Sequence, residues 1–281
     1  MANQAVHLYQ SQRLCDHRAT VLTIASGKGG VGKTNITTNL AIKLARSGKK
    51  VLLLDADMSL GNVDLVMDVK SRYNITHLLS GKKTAEQIVR TGPEGVRVIC
   101  GGSGIEKLAE INEFQRHHIL QKLHSLQEQN DVILIDSAAG ISHSVVGFCL
   151  CADQTLVVTT PEPTAITDAY GMIKVLVKNN YQGKIILVVN MADNDQQARV
   201  TYQRISNVVR RFLNAEIYYA GAVLRDPKLL SAVRKRVPTV LAYPKSRFSR
   251  SISTMAAKLS DDMPAVPYRE SFFKKIADWL F

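Results

Sequence analysis

Short apolar runs rich in β-branched residues alternate along the chain with longer amphipathic stretches. Such runs are typical of parallel strands buried on both faces, and apolar positions at helical spacing predict crossover helices between them. Strands are predicted near 20–26, 50–57, 96–102, 131–140, 154–163, 184–191 and 217–224. Helices are predicted near 33–47, 84–90, 107–129, 167–180 and 196–213. This alternation predicts a doubly wound α/β fold with a mostly parallel sheet.

The pattern changes after residue 260. The segment "SDDMPAVPY" combines acidic residues with two prolines, a composition that ends a helix and extends the chain. The residues after Pro267 are therefore predicted to form a separate appendage. In "YRESFFKKIADWLF" the apolar residues recur on one face of a helix: Phe272, Phe273, Ile276, Trp279 and Leu280.

Two interpretations of this C-terminal amphipathic helix remain open. Aromatic residues on the apolar face with lysines beside it suit a helix that binds a membrane surface. Docking onto the protein's own core would use the same pattern. We predict membrane binding through these five apolar residues, strengthened in a dimer because two anchors cooperate.

Composition narrows the class of protein. The 281 residues, 46% hydrophobic and 21% charged, suffice for one large soluble α/β domain. The sequence contains no run of 18 apolar residues and its N-terminus lacks the order of a secretory signal, so a cytosolic protein is expected. The four cysteines form no C-x-x-C pair, which favours reduced, buried thiols over a metal site or a disulfide.

The net charge of +12 is unevenly distributed. Thirteen of the Lys and Arg residues, but only two acidic residues, lie between Arg199 and Lys258. This third of the chain is therefore predicted to present a basic face to an anionic partner: lipid, nucleic acid or an acidic protein surface. A basic face that is merely solvated is the alternative.

Candidate chemistry is concentrated in "SGKGGVGKT", residues 26–34, which fits two nucleotide-binding patterns. Its glycines satisfy the dinucleotide fingerprint G-x-G-x-x-G, and the stretch also satisfies the P-loop pattern G-x-x-x-x-G-K-[ST]. Lys33 and Thr34 decide for the P-loop, since a dinucleotide fold has no use for them. In a P-loop Lys33 reaches the β- and γ-phosphates, Thr34 ligates Mg²⁺, and backbone N–H groups face the phosphates. The predicted nucleotide-binding residues here are Gly27, Lys28, Gly29, Gly30, Val31, Gly32, Lys33, Thr34 and Asn35.

Three aspartates are predicted to lie at the ends of strands. Asp55 and Asp57 lie in "LLLDADMSLGNVD", and Asp136 lies in "ILIDSAAG". The carboxyl ends of parallel strands meet at one edge of a sheet, so these carboxylates should lie beside the phosphate loop. We predict a Mg²⁺ site at Thr34, Asp55 and Asp136.

These motifs resemble the MinD/ParA family of deviant Walker A ATPases. Lys28 in "KGGVGKT" is similar to the family's signature lysine, and the two aspartate segments are similar to its switch regions. The resemblance implies ATP and Mg²⁺ as ligands and a homodimer that encloses the ATP. It also implies that Lys28 of one subunit reaches the phosphates in the other and that Asp57 orients the attacking water. Weaker matches place Asn190 and Arg225 at the adenine, although a buried capping role for Asn190 is an alternative.

The N-terminal "NQAVHLY" resembles the D-Q-A-x-x-L-R motif of the family's flagellar branch, FlhG (FleN), which acts with an FlhF-type GTPase. Gln4, Ala5 and Leu8 match as partner-binding residues, whereas Asn3 and Tyr9 replace the motif's acid and arginine. The implied partners are this GTPase, flagellar assembly components and a flagellar transcriptional regulator. The resemblance favours an anionic membrane surface over direct DNA binding, with a ParA-like partition ATPase or a MinD-type division-site ATPase as alternatives.

Three parts of the chain follow from these interpretations. Residues 1–18 are predicted to form a flexible partner-binding segment, 19–260 the ATPase domain, and 261–281 a linker and membrane-targeting helix.

Overall fold

The computed structural model describes residues 18–57, 62–70, 72–80, 82–101, 120, 123–261 and 271–280. Within these ranges, eight strands form one sheet in the order β3-β4-β2-β5-β1-β6-β7-β8. The strands are β1 Thr20–Ser26, β2 Val51–Ala56, β3 Arg90–Thr91, β4 Arg97–Ile99, β5 Val132–Ala139, β6 Gln154–Thr159, β7 Lys184–Ala192 and β8 Tyr218–Leu224. All neighbouring strands are parallel except the short pair β3 and β4.

Helices cover both faces of the sheet. They are α1 Lys33–Arg46, α2 Val63–Met67, α3 Ile75–Leu79, α4 Ala85–Ile88, α5 His143–Cys151, α6 Pro163–Lys178, α7 Asp195–Leu213, α8 Pro227–Arg234, α9 Thr239–Ala242, α10 Arg247–Asp261 and α11 Phe272–Leu280. A further helical segment covers 123–128. Within the part of the chain described, no helix is long and apolar enough to cross a membrane.

Alternate residues of the buried strands supply two separate cores. On one face Leu22, Leu53 and Leu134 pack with residues of α1 and α10. On the other face Val21 and Ile133 pack with residues of α5 and α11, and a neighbouring cluster joins α6 and α7 to β6 and β7. The predicted doubly wound fold is confirmed, since helices pack on both faces of a mostly parallel sheet. A central strand of such a sheet is apolar on both faces, which is why its sequence could be recognised.

The helix predictions were less complete than those for the strands. Six helices were not predicted: α2, α3, α5, α8, α9 and α10. Helix α6 begins at Pro163 and not near 167 as predicted, because proline is favoured in the first turn of a helix. Helix α5 is buried on nearly every side, so its sequence lacks amphipathic periodicity. Of the helix predicted over 107–129, only 120 and 123–129 fall within the described residues.

The prediction of a separate C-terminal appendage is wrong for α11. Phe272, Phe273 and Ile276 are at most 1% exposed and belong to the same core as residues of β1, β2 and β5. The Phe272 ring stacks on Phe148 of α5, with centroids 6.5 Å apart. The helix thus completes one face of the core and leaves little of its apolar side exposed.

Glycine 147 in α5 accommodates the far end of α11. A Cβ at Gly147 would lie 2.2 Å from the Trp279 ring, so only glycine admits this ring without a shift. Trp279 stacks on His143 at 5.3 Å and donates its indole N–H to the His143 carbonyl at 3.3 Å. Glycine within a helix costs roughly 1 kcal/mol relative to alanine, and at this position it permits the contact.

We predict that Phe272→Ala destabilises the protein strongly. Truncating a buried Phe typically lowers the free energy of unfolding by about 3–5 kcal/mol, because the ring's burial is lost and a cavity remains. Urea unfolding measures the change. Asp278→Ala on the exposed side of α11 should change stability by less than about 0.5 kcal/mol. Equal, small changes in both variants would contradict the docking of α11.

Candidate functional site

The phosphate loop connects β1 to α1 and has a conformation that requires glycine. Gly30 has φ +77° and Gly32 has φ +90°, both in the left-handed region. A Cβ at Gly27 would lie 2.2 Å from the Asp168 carbonyl oxygen, and one at Gly32 would lie 2.4 Å from Asn190 Nδ2. The loop is therefore in close contact with β7 and α6. Its backbone N–H groups lie at the N-terminus of α1, where a helix favours binding of an anion.

Lys33 is buried in the loop. Its Nζ donates to Ser26 Oγ at 2.8 Å. Desolvation lowers the pKa of Lys33, while the nearby Asp136 and Asp57 carboxylates act in the opposite direction. A largely desolvated ammonium at this position matches the role of binding β- and γ-phosphates.

The carboxylates of Asp55 and Asp136 lie on neighbouring strands, because β2 and β5 pair with Asp55 opposite Asp136. Asp136 lies within β5, three residues before its end, and not at the tip of the strand as predicted. Asp136 accepts hydrogen bonds from Thr34 Oγ1 at 2.6 Å and Thr37 Oγ1 at 3.0 Å. Asp55 accepts from the backbone N–H groups of Asp57 at 3.1 Å and Val63 at 3.4 Å. The predicted metal-binding residues are thus adjacent.

Burial perturbs both carboxylates. Burial and, second, the Asp136 charge together raise the pKa of Asp55 to about 7, against the backbone hydrogen bonds from Asp57 and Val63. Burial raises the pKa of Asp136 to about 6, against the hydrogen bonds from Thr34 and Thr37. A cation would relieve this unfavourable burial of negative charge.

The donor set fits Mg²⁺, which prefers oxygen ligands and retains several waters. Thr34 would supply the direct ligand, with Asp55 and Asp136 holding water ligands. Within the described residues, no group of three His, Cys, Asp or Glu side chains forms a metal site made of protein alone. Such a site is not needed when substrate phosphates complete the coordination.

Lys28 lies in a different environment from Lys33. Its Nζ donates to Glu162 Oε2 at 3.2 Å and Thr164 Oγ1 at 2.9 Å, and its side chain is 39% exposed. The two lysines of the loop therefore do not share one phosphate face within this chain.

The two residues predicted to contact adenine, Asn190 and Arg225, both have other partners in this structure. Asn190 Nδ2 donates to the Val31 carbonyl at 2.7 Å, so its amide supports the phosphate loop in this structure. Arg225 is exposed and lies 3.5 Å from Asp193, in a loop held by a hydrogen bond from Arg225 N to the Ala192 carbonyl. The observed hydrogen bond of Asn190 matches the alternative interpretation, a buried capping role.

Three contributors to the site were missed in the sequence. Thr37 binds Asp136, Ser26 accepts from Lys33, and Glu162 pairs with Lys28. Thr37 follows Lys33 by one helical turn, so i, i+4 spacing after the P-loop lysine could have indicated it. Nothing in the sequence brings Glu162, 134 residues away, to Lys28.

Comparison with known proteins identifies the family. The profile described as "ParA: NUBPL iron-transfer P-loop NTPase" matches residues 17–260. The chain belongs to the ParA family of P-loop NTPases.

Individual relatives cover this ParA-family chain almost completely. Antiactivator FleN of Pseudomonas aeruginosa is 34% identical over 252 residues, 89% of this chain and 90% of FleN. Flagellum site-determining protein YlxH of Helicobacter pylori is 35% identical over 266 residues, 92% of this chain and 90% of YlxH. The MinD cell division protein of Aquifex aeolicus superposes with a TM-score of 0.68 at 28% identity, covering 90% of this chain and all of MinD.

Two further groups of predicted residues have different outcomes in this ParA-family structure. Gln4, Ala5 and Leu8, with the rest of 1–17, lie outside the described residues. Phe272, Phe273 and Ile276 are buried against the core, Trp279 is partly buried, and the side chain of Leu280 is not described. The face predicted to bind a membrane is therefore occupied by the protein itself.

We predict that Asp55→Asn stabilises the nucleotide-free protein at high pH. The folded-state pKa of about 7 lies above the ordinary value of 3.8, so the unfolded chain loses this proton first. Stability then falls as pH rises from about 4 to 7, by at most about 1.4 kcal/mol per unit, and the loss persists above pH 7. Asparagine removes this penalty.

The measurement is the difference in melting temperature between Asp55→Asn and wild type at pH 4 and pH 8. The gain should be present at pH 8 and small at pH 4. Asp68→Asn is the matched exposed change and should show little effect at either pH. The same gain at both pH values would show that the carboxylate's ionisation is not its cause.

Proposed function

We propose that this protein is an ATP-dependent, dimerising switch ATPase that regulates flagellar number and placement, acting with an FlhF-type GTPase at the membrane. One observation carries the enzymatic part: Lys33 is buried beside Ser26 and Asp136, whereas Lys28 of the same loop faces outward to Glu162. The similarity to FleN and YlxH supports the flagellar part.

Each polar group of the site has a role in this proposal. Lys33 and the loop N–H groups bind the β- and γ-phosphates, and Asp57 orients the attacking water. Thr34, Asp55 and Asp136 would hold Mg²⁺, which supplies positive charge to the phosphate oxygens. The Thr34 hydroxyl donates its proton to Asp136, which leaves the lone pairs of its oxygen available to a metal ion.

Lys28 acts across a dimer. Its partners in the single chain are Glu162 and the Thr164 hydroxyl, so facing a second subunit requires leaving an exposed ion pair. Exposed pairs contribute at most about 1 kcal/mol, a small obstacle. A cation that arrives in trans at the transferring phosphate accelerates related reactions by about 10³–10⁵.

The two lysines should be separable by mutation. We predict that Lys33→Ala abolishes ATP binding, because the charge nearest the β- and γ-phosphates is lost. Lys28→Ala should retain ATP affinity within about threefold and lose at least about a hundredfold in hydrolysis. Calorimetry with Mg-ATP measures binding, and phosphate release at several protein concentrations measures hydrolysis. Equal loss of ATP affinity in both variants would contradict a role in trans.

Membrane action requires release of α11. Its apolar face is covered by α5 and the sheet, so the same residues serve either docking or lipid. We propose that the ATP-bound dimer favours the released helix and that two released helices bind an anionic membrane together. The exposed basic residue Lys274 and its partly buried neighbour Lys275 would face the lipid headgroups.

Gly147 provides a test that leaves the tail sequence intact. We predict that Gly147→Leu displaces Trp279 and increases sedimentation with anionic vesicles in the ADP state towards the ATP level of wild type. Gly171→Ala is the control, a glycine change in α6 with no neighbour within 4 Å, and should leave vesicle binding unchanged. If Gly147→Leu retains wild-type ADP-state binding while its amide exchange shows α11 released, the membrane role of the helix is wrong.

The partner assignments rest on the resemblance to the family's flagellar branch. The FlhF-type GTPase would bind residues 3–9 through Gln4, Ala5 and Leu8, a proposal supported by the motif alone. Flagellar assembly components and a transcriptional regulator are proposed from the same resemblance.

A ParA-like DNA-binding function is the second candidate, favoured by the thirteen basic residues between 199 and 258. A salt-titrated assay with a DNA duplex, beside the vesicle assay, distinguishes the two. Tight, salt-sensitive duplex binding without ATP-dependent vesicle binding would favour the partition function.

A further inference from the structure

A groove of about 480 Å³ lies along the outer edge of the sheet, away from the phosphate loop. Its floor is the edge strand β8, from Tyr219 to Ala222. Its walls are the start of α7 and one side of α10. The volume is within the range of clefts that bind ligands. The proposed ATPase cycle assigns this groove no role.

The groove is lined mainly by positive charge. Its four cationic residues are Arg199, Arg247, Arg250 and Lys258, against one carboxylate, Asp195. None of the four is in an ion pair within the described residues. The hydroxyls of Ser251 and Thr254 add hydrogen-bond capacity on the α10 wall. Cations without a counter-ion, beside hydroxyl groups, favour an anionic occupant.

The charges on α10 form a row. Arg247, Arg250 and Lys258, with Thr254 between them, follow the spacing i, i+3, i+7 and i+11 on one helical face. Eleven residues at 1.5 Å each span about 16 Å. An extended chain covers that distance in about five residues. A row of this length matches several carboxylates spaced along a segment better than one compact anion.

The edge strand itself is a poor template for strand addition. The register shifts between Tyr219 and Gly221, which is a β-bulge at Ala220, and bulges interrupt pairing along an edge. Lys258 Nζ donates to the Tyr219 carbonyl, and the Leu224 N–H donates to Ser251 Oγ at 3.4 Å. Recognition therefore runs through the side chains of the two walls.

We propose that this groove binds an extended acidic segment of a partner protein, with carboxylates opposite Arg199, Arg250 and Lys258. The position of the groove between the walls formed by α7 and α10 favours a single polypeptide chain over a DNA duplex as its occupant. The partly buried Tyr219 supplies apolar surface for the side chains between the carboxylates.

The test uses the full chain with Mg-ADP and a fluorescent eight-residue peptide in which Glu alternates with Ala. Anisotropy is measured at roughly 50 mM salt, where screening is moderate. The same peptide with Lys in place of Glu is the charge control. Arg250→Glu/Lys258→Glu reverses two charges of the groove, and Arg204→Glu/Arg234→Glu makes the same net change at exposed positions outside it. Arg247 is left intact because it donates to the carbonyl of Asp193, whose carboxylate pairs with the predicted nucleotide-binding residue Arg225. Among the described residues, Lys258 donates only within the groove, to the Tyr219 carbonyl.

We expect the Glu peptide to bind the wild-type protein and to protect backbone amides of β8 and α10 from hydrogen exchange. Reversal of the groove charges should weaken binding by about tenfold or more, and the control variant should remain within about threefold. Three outcomes overturn it: no binding to wild type, equal weakening in both variants, or protection elsewhere. Selective loss of binding to a DNA duplex in the groove variant, with peptide binding intact, would also overturn it. ATP hydrolysis should be unchanged in Arg250→Glu/Lys258→Glu, so this test does not depend on the proposed enzymatic function.

Discussion

The insertion of β5 between β1 and β2 is the constraint on which the site depends. Parallel pairing places Asp136 opposite Ile24 on one side and Asp55 on the other. The carboxylate thereby comes within 2.6 Å of Thr34, at the start of the helix that follows the phosphate loop. Burying two acids opposite each other on adjacent strands is unfavourable in isolation, and burial raises the pKa values of both.

The strands and the acidic residues of this site could be predicted from the sequence. Buried strands have a simple signature, since each is apolar on both faces, and all seven predicted strands are present. The P-loop pattern and the aspartates of two predicted strands indicated four candidate site residues, Lys33, Thr34, Asp55 and Asp136. These signals are local in the sequence, so they could be recognised without the fold. Thr37 could have been recognised from its spacing.

What could not be predicted depends on contacts between distant segments. The pairing of Lys28 with Glu162 and the support of the loop by Asn190 arise only when β7 and α6 reach β1. The amphipathic pattern of α11 is equally compatible with lipid and with a protein core, since both remove the apolar face from water. Gly147 decides for docking in this chain, yet a lone glycine in an apolar run gives no such indication in the sequence.

The seating of Trp279 over Gly147 has a quantitative meaning for the proposed membrane switch. Docked and lipid-bound forms of α11 exclude each other, so the apparent affinity for lipid equals the intrinsic affinity multiplied by the fraction of released helix. Each factor of ten in docking strength therefore removes a factor of ten in recruitment of a monomer. A dimer that must release two helices independently meets this penalty twice, which makes recruitment a steep function of the docking equilibrium rather than a proportional one. In the proposed switch, the contact between Trp279 and Gly147 therefore sets the lipid concentration needed for recruitment.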